Sequence, residues 1–223
     1  MSNEFAGKEK KTYTQMDLVL EGVRSFEGGD YEKVILEGVI TLKGDLKAKI
    51  LKIEGVFNAK GEISSEELYC EGVANITGTV RTKIAKIEGH FNLKGEKFES
   101  DEINCSGILN VNGEVNADII KADGIINAQE VCGDYVEINS KKKLAFGVLE
   151  KLYNRFYYSK IGLIEATTIT LKGVTCDNVN GHNITIGKGC IIKNISCDGI
   201  LNIDPSSKVE NIVGDYSSDH KNI

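Results

Sequence analysis

With 223 residues, 41% of them hydrophobic, the chain can bury a sizeable core, yet 24 glycines against one proline, two methionines and no tryptophan suit neither a helix bundle nor a Pro-rich disordered protein. A net charge of −6 offers no global field for nucleic acid. The opening MSNEFAGKEKKTYTQ lacks a signal-peptide core, nothing later approaches a span of ~20 apolar residues, and six cysteines form no C-x-x-C pair, so the expectation is a cytoplasmic protein with free thiols.

Residues 1–16 are polar and read as an N-terminal tail. Over 17–140 a repeat takes hold: glycine recurs at Gly22, Gly38, Gly55, Gly72, Gly89, Gly107 and Gly124, at spacings of 16, 17, 17, 17, 18 and 17. A second glycine follows six residues behind at Gly28, Gly44, Gly61, Gly78, Gly95 and Gly113, and the text around the first repeats as ILEGVITLKG, KIEGVFNAKG, YCEGVANITG and KIEGHFNLKG. Helical solenoids need repeats of more than ~30 residues, whereas a β-coil of three short strands and three corners needs ~17. Counted from the repeat glycine as zero, −4 and −2 are apolar in every coil, from Leu18/Leu20 and Val34/Leu36 to Ile120/Ala122. Positions +2 and +4 are apolar from Ile40/Leu42 to Ile126/Ala128, the first coil excepted with Arg24/Phe26. A third inward strand is marked at +8 by Leu46, Ile63, Val80, Val115 and Cys132, with Phe98 in that role after a one-residue insertion. The period-2 alternation predicts a parallel β-solenoid of triangular coils, about seven of them over 17–140.

The outward positions form columns of their own. Position −1 is Glu21, Glu37, Glu54, Glu71 and Glu88, then Ser106 and Asp123, a ladder of like charge that Lys52, Lys86 and Lys121, or Lys43, Lys60 and Lys94, could offset. Position +3 holds Asn58, Asn75, Asn92, Asn110 and Asn127, which predicts an amide ladder along the stack. Position +1 has outward parity yet is mostly apolar, so Val39, Val56, Val73, Ile108 and Ile125 are a candidate lateral contact stripe, unless the corner tucks them partly inside. Cys70, Cys105 and Cys197 fill the −2 slot and read as small core residues, as does Cys132 at +8.

Residues 141–160 break the repeat with KKKLAFGVLEKLYNRFYYSK, in which Leu144, Val148, Leu152 and Phe156 have helical spacing. A short amphipathic helix is expected, either bracing the solenoid or presenting Lys141, Lys142, Lys143 and Phe156 to a membrane surface or a partner. The pattern resumes more loosely over 161–213, about three further coils, through ITLKG, NITIGKGCII and DGILNID. Residues 214–223 read as a polar C-terminal tail.

Gly-punctuated coils of 17 to 18 residues with Val, Ile and Leu at the inner positions, spanning most of 17–213, resemble the bactofilins, the polymer-forming cytoskeletal proteins of bacteria. The resemblance implies a right-handed β-helix that assembles end to end, without nucleotide or any other cofactor, into filaments that scaffold cell-envelope and morphogenetic proteins. The Pro-rich flanks common in that family are lacking here. A solenoid end exposes unpaired backbone around an open core, so the candidate polymerisation surfaces are Leu18, Leu20 and Phe26 at one end and Ile203, Val209, Ile212 and Val213 at the other. No catalytic, cofactor or metal-ligating set stands out, and the expected partner is the chain itself. The competing reading is a left-handed hexapeptide-repeat acyltransferase, which ITIGKGCII and the six-residue glycine spacing resemble. That fold keeps close to 18 residues per coil and usually relies on a histidine base, whereas His90, His182 and His220 lie in a surface slot, an irregular segment and the tail.

Overall fold

The computed structural model describes residues 16–140 and 158–218. All regular elements among them are strands, paired in parallel from coil to coil into a β-solenoid of about 11 turns. One register column runs from Leu18 on Val34 through Ile120 on Val136 to Ile184 on Leu201, and the −2, +2 and +4 columns follow it. The inward positions are apolar because both neighbouring coils and the two other walls of the prism exclude water from them. Leu36, Ile53, Phe57, Ile87 and Phe91 are each no more than 1% exposed. Burying a side chain of this size stabilises by ~1.5–3 kcal/mol. The Phe91 and Phe98 rings stack across the core with centroids 5.3 Å apart.

The two repeat runs form one continuous solenoid. The strand Ile125–Asn139 pairs in register with Ser159–Lys172, from Asn127 on Lys160 to Asn139 on Lys172. The expected interruption at 141–160 is therefore narrower, since Ser159 and Lys160 already belong to the next coil. It opens at one corner only, because Ser140 occupies the place of the repeat glycine and Ser159 the +2 slot. The predicted amphipathic helix falls almost wholly at 141–157, outside the described residues, and no helix occurs among those described.

Two other expectations need correction. Cys132 is not a core residue: Val131 lies on Val115 in the +8 column, fully buried, while Cys132 shares the outward register of Asn116 and is half-buried. The coil loses one residue at the corner after Ala128, where Gln129 and Glu130 both donate backbone N–H bonds to the Gly113 carbonyl. The start of the supposed C-terminal tail also contributes to the wall, for Ser217 bridges to Ile200 and exchanges backbone hydrogen bonds with Gly199 and Leu201.

Position +10, which carries no hydrophobic signature, turns out to face inward as a column of small residues. Ala48 lies on Ser65, Ser100 on Ala117, Gly133 on Ala166, and Gly181 on Cys197, so Cys197 is buried as expected but in this column, while Ile203 on Ile186 continues the −2 column. Its hydroxyls are satisfied locally: Ser65 donates to Thr82, Thr82 bonds the carbonyls of Glu66 and Ile84, and Ser100 those of Lys83 and Glu102. A buried hydroxyl without such partners would cost ~1–3 kcal/mol.

Candidate assembly surfaces

At the N-terminal end the strand Leu18–Phe26 pairs on one side with residues 34–42, and no described residue pairs with its other edge. Leu18, Leu20 and Phe26 are half-buried there, whereas Val34, Leu36 and Leu42 one coil further in are sealed. The end is not uniformly apolar. Arg24, in the +2 register of Ile40, is exposed, and Gly29 stands in the +8 column where Leu46 follows, so that slot has no side chain.

At the C-terminal end the strand Lys208–Val213 lies on residues 191–196, and its outer edge has no partner among the described residues. Val209 stacks on Ile192 and Ile212 on Ile195, so both continue core columns, Val209 half-buried and Ile212 37% exposed. Ile203 is half-buried on Ile186. Val213 shares the outward register of Ser196 and is 61% exposed, which places it on the rim rather than over the core. A turn at Pro205 closes one corner: the Ser206 N–H and hydroxyl donate to the Asp204 carboxylate at 2.9 and 2.6 Å, and Ser207 N–H to the Asp204 carbonyl.

The lateral stripe is a real column. Val23, Val39, Val56, Val73, His90, Ile108 and Ile125 lie one above another in register. Val23 is 82% and Val39 43% exposed, while Val56, Val73, Ile108 and Ile125 are half-buried against their neighbours in the column. Beside it the asparagine ladder forms as expected. Asn75 donates to Asn58, Asn92 to Asn75, Asn110 to Asn92 and Asn127 to Asn110, at 2.8–3.1 Å, and the Lys160 backbone N–H donates to Asn127 Oδ1 at its upper end.

Charges on the other walls are paired across coils, as in Lys49–Glu32, Lys83–Glu66, Arg81–Glu99 and Lys193–Asp177, all within 2.9 Å. The −1 glutamates are not neutralised as expected. Lys52 and Lys86 sandwich the Tyr69 ring from 5.5 and 5.4 Å, and Lys121 lies over Tyr135, so these lysines make cation–π contacts instead.

The thiols fit a structural role. Burial pushes Cys70, Cys105 and Cys176 up to about 12, far from the thiolate form that redox or metal chemistry uses. A groove of about 350 Å³ on the wall carrying Lys86, Glu88, Lys121, Asp123 and Glu137 mixes both charge signs around Ser106. Among the described residues no group of three or more His, Cys, Asp or Glu is placed to hold a metal ion, and no helix is long and apolar enough to cross a membrane. Lys141, Lys142, Lys143 and Phe156 lie outside the described residues. No family model, no curated protein and no solved structure matches this chain.

Proposed function

We propose that this chain is a non-enzymatic, self-polymerising scaffold of the bactofilin type, a right-handed β-helix that grows end to end and presents its walls to other proteins of the cell envelope or of morphogenesis. The observation that carries the proposal is the state of the two ends. Of the about 11 coils the inner ones seal each other's core columns, while the first and last leave Leu18, Leu20 and Phe26, and Ile203, Val209 and Ile212, short of the burial their columns reach one coil further in. Each end also carries a strand edge unpaired among the described residues, which is a template for further parallel pairing. Stacking one chain on the next extends the columns and pairs those edges with no need for a nucleotide. On this reading the protein works inside the cell, free or at the inner face of the membrane, and its first partner is itself.

Electron microscopy of the purified protein in nucleotide-free buffer tests this. Filaments or elongated end-to-end oligomers support it. Single 11-coil rods at every concentration, with an acyl-CoA-dependent transferase activity, would move the assignment to the left-handed acyltransferase.

A further inference from the structure

We infer that the wall bearing the asparagine ladder is a self-complementary surface, on which a second copy of this chain docks with its solenoid axis parallel to the first. This wall is made by the short strands Val56–Ala59, Val73–Ile76, His90–Leu93 and Ile108–Val111 with the matching parts of the longer strands below and above. From the first coil to the seventh its outward positions, +1 and +3, carry no Asp, Glu, Lys or Arg.

The two edges of the wall are charged, and they are matched coil by coil. Position −1 at one edge and +5 at the other read Glu37 and Lys43, Glu54 and Lys60, Glu88 and Lys94, and where the first becomes Ser106 the second is Asn112. The fourth and seventh coils are half-matched, with Glu71 and Thr77 and with Asp123 and Gln129, and the first carries Glu21 and Glu27. Six residues of strand separate the edges by ~20 Å, so these charges cannot meet within one chain. Among the described residues Glu37, Glu54, Glu71, Glu88, Lys60 and Lys94 make no ion pair, and Lys43 reaches only Glu27 at 3.3 Å, in contrast to the cross-coil pairs of the other walls.

Geometry then selects the partner and its direction. All strands of the wall run the same way, so a two-fold axis parallel to the solenoid axis lays the glutamate edge of one copy on the lysine edge of the other, coil on the same coil. A two-fold axis along the strands would lay glutamate on glutamate and reverse the coil order. Like charges opposed in this way exclude a docking mode, and opposite ones fix register and orientation. Seven coils at ~4.8 Å and six residues at ~3.3 Å give a face of ~650 Å² per copy. Two such faces bury ~1,300 Å², within the ~1,200–2,000 Å² of specific protein pairs. The apolar +1 column and the amides of the +3 column would be covered together. This pairing is separate from end-to-end growth: it uses neither Phe26 nor Ile212, and either can fail without the other.

The test is cross-linking with a short bismaleimide in the full chain carrying Cys132→Ser. Val39→Cys should give a covalent dimer by itself, and a mixture of Val39→Cys with Ile108→Cys should give no more mixed dimer than the uncombined background. Glu54→Lys with Glu88→Lys should lower the Val39→Cys yield about tenfold, and adding Lys60→Glu with Lys94→Glu should restore it. Cross-linking of Val39→Cys only to Ile108→Cys would overturn the parallel arrangement. No cross-link in either case would overturn the docking face altogether, and protection of the Val39→Cys thiol in the monomer, relieved on removing residues 141–157, would show that the chain covers this wall itself.

Discussion

The Ser140 and Ser159 hydroxyls lie 2.7 Å apart although the two residues are 19 positions apart in the sequence. Ser159 Oγ also accepts the Ile126 N–H at 3.0 Å, and both serines are buried, Ser159 completely. Where other coils place a peptide at this corner, here two side chains close the gap and supply the acceptor that a backbone carbonyl provides elsewhere.

Replacing Ser159 with alanine leaves a buried N–H without its acceptor and should cost ~1–3 kcal/mol, against ~0.5–1.5 kcal/mol for Ser140→Ala, which loses one hydroxyl pair. Urea unfolding of the two variants measures the difference. Equal losses would mean that the Ile126 contact contributes nothing.

Because the two corner residues already touch, residues 141–157 should be dispensable for folding. Deleting them and joining Ser140 to Tyr158 through a short glycine linker should preserve the far-ultraviolet circular dichroism of a β-protein and a single cooperative transition. Collapse of the coils after the deletion would show that this segment is part of the core.

Gly89 and Gly22 mark the same repeat position for different reasons. Gly89 has no left-handed φ, but a Cβ there would stand against the Gly72 carbonyl oxygen of the coil below; Gly22 has φ of +71° and open space around it. Alanine at Gly89 must push two coils apart and should cost at least ~2 kcal/mol, whereas alanine at Gly22 should cost only the ~1–2 kcal/mol of an unfavourable φ. Thermal or urea midpoints of the two variants rank them.

Much of this architecture was legible in the sequence because the coil length repeats at 16–18 residues up to Gly124: the −4, −2, +2 and +4 columns and the Asn58-to-Asn127 ladder stand where the spacing puts them. The +10 column was not legible, since Ser65, Thr82 and Ser100 look like surface residues until their hydroxyls are seen bonding to nearby carbonyls and to one another. Cys132 misled for a different reason. Once the corner after Ala128 shortens, position +8 counts to an outward residue, and only pairing shows that Val131 has taken the core place. The same short corner persists from Ile161 to Ile164 and from Cys176 to Val179, one residue shorter than from Val111 to Val115, which shifts the spacing and blurs the period over the last coils. The assembly surfaces were only partly legible, because Ile212 and Val213 both look like apolar end contacts until the pairing of Ile212 with Ile195 and of Val213 with Ser196 fixes which of the two faces outward.

The thiols should divide by accessibility. Burial holds Cys70, Cys105 and Cys176 at about 12, so at pH 8 only ~10⁻⁴ of each is thiolate and a disulfide reagent should reach them only on unfolding. Cys132 is also raised, by burial and by Glu114, Glu130 and Glu165, but it is half-exposed and should react first. Loss of the early phase in Cys132→Ser checks the assignment, and rapid reaction of the remaining thiols in native buffer would contradict it.

The end-to-end claim is tested most directly by analytical ultracentrifugation of the parent chain against Phe26→Arg. Phe26 stacks on Leu42 with its other side uncovered by any described residue, so an arginine there would carry charge into the junction between chains while the coils below stay packed. The parent should form concentration-dependent, rapidly sedimenting polymers at tens of micromolar, and Phe26→Arg much shorter species with unchanged circular dichroism. If parent and variant sediment alike as monomers across that range, end-to-end polymerisation is contradicted.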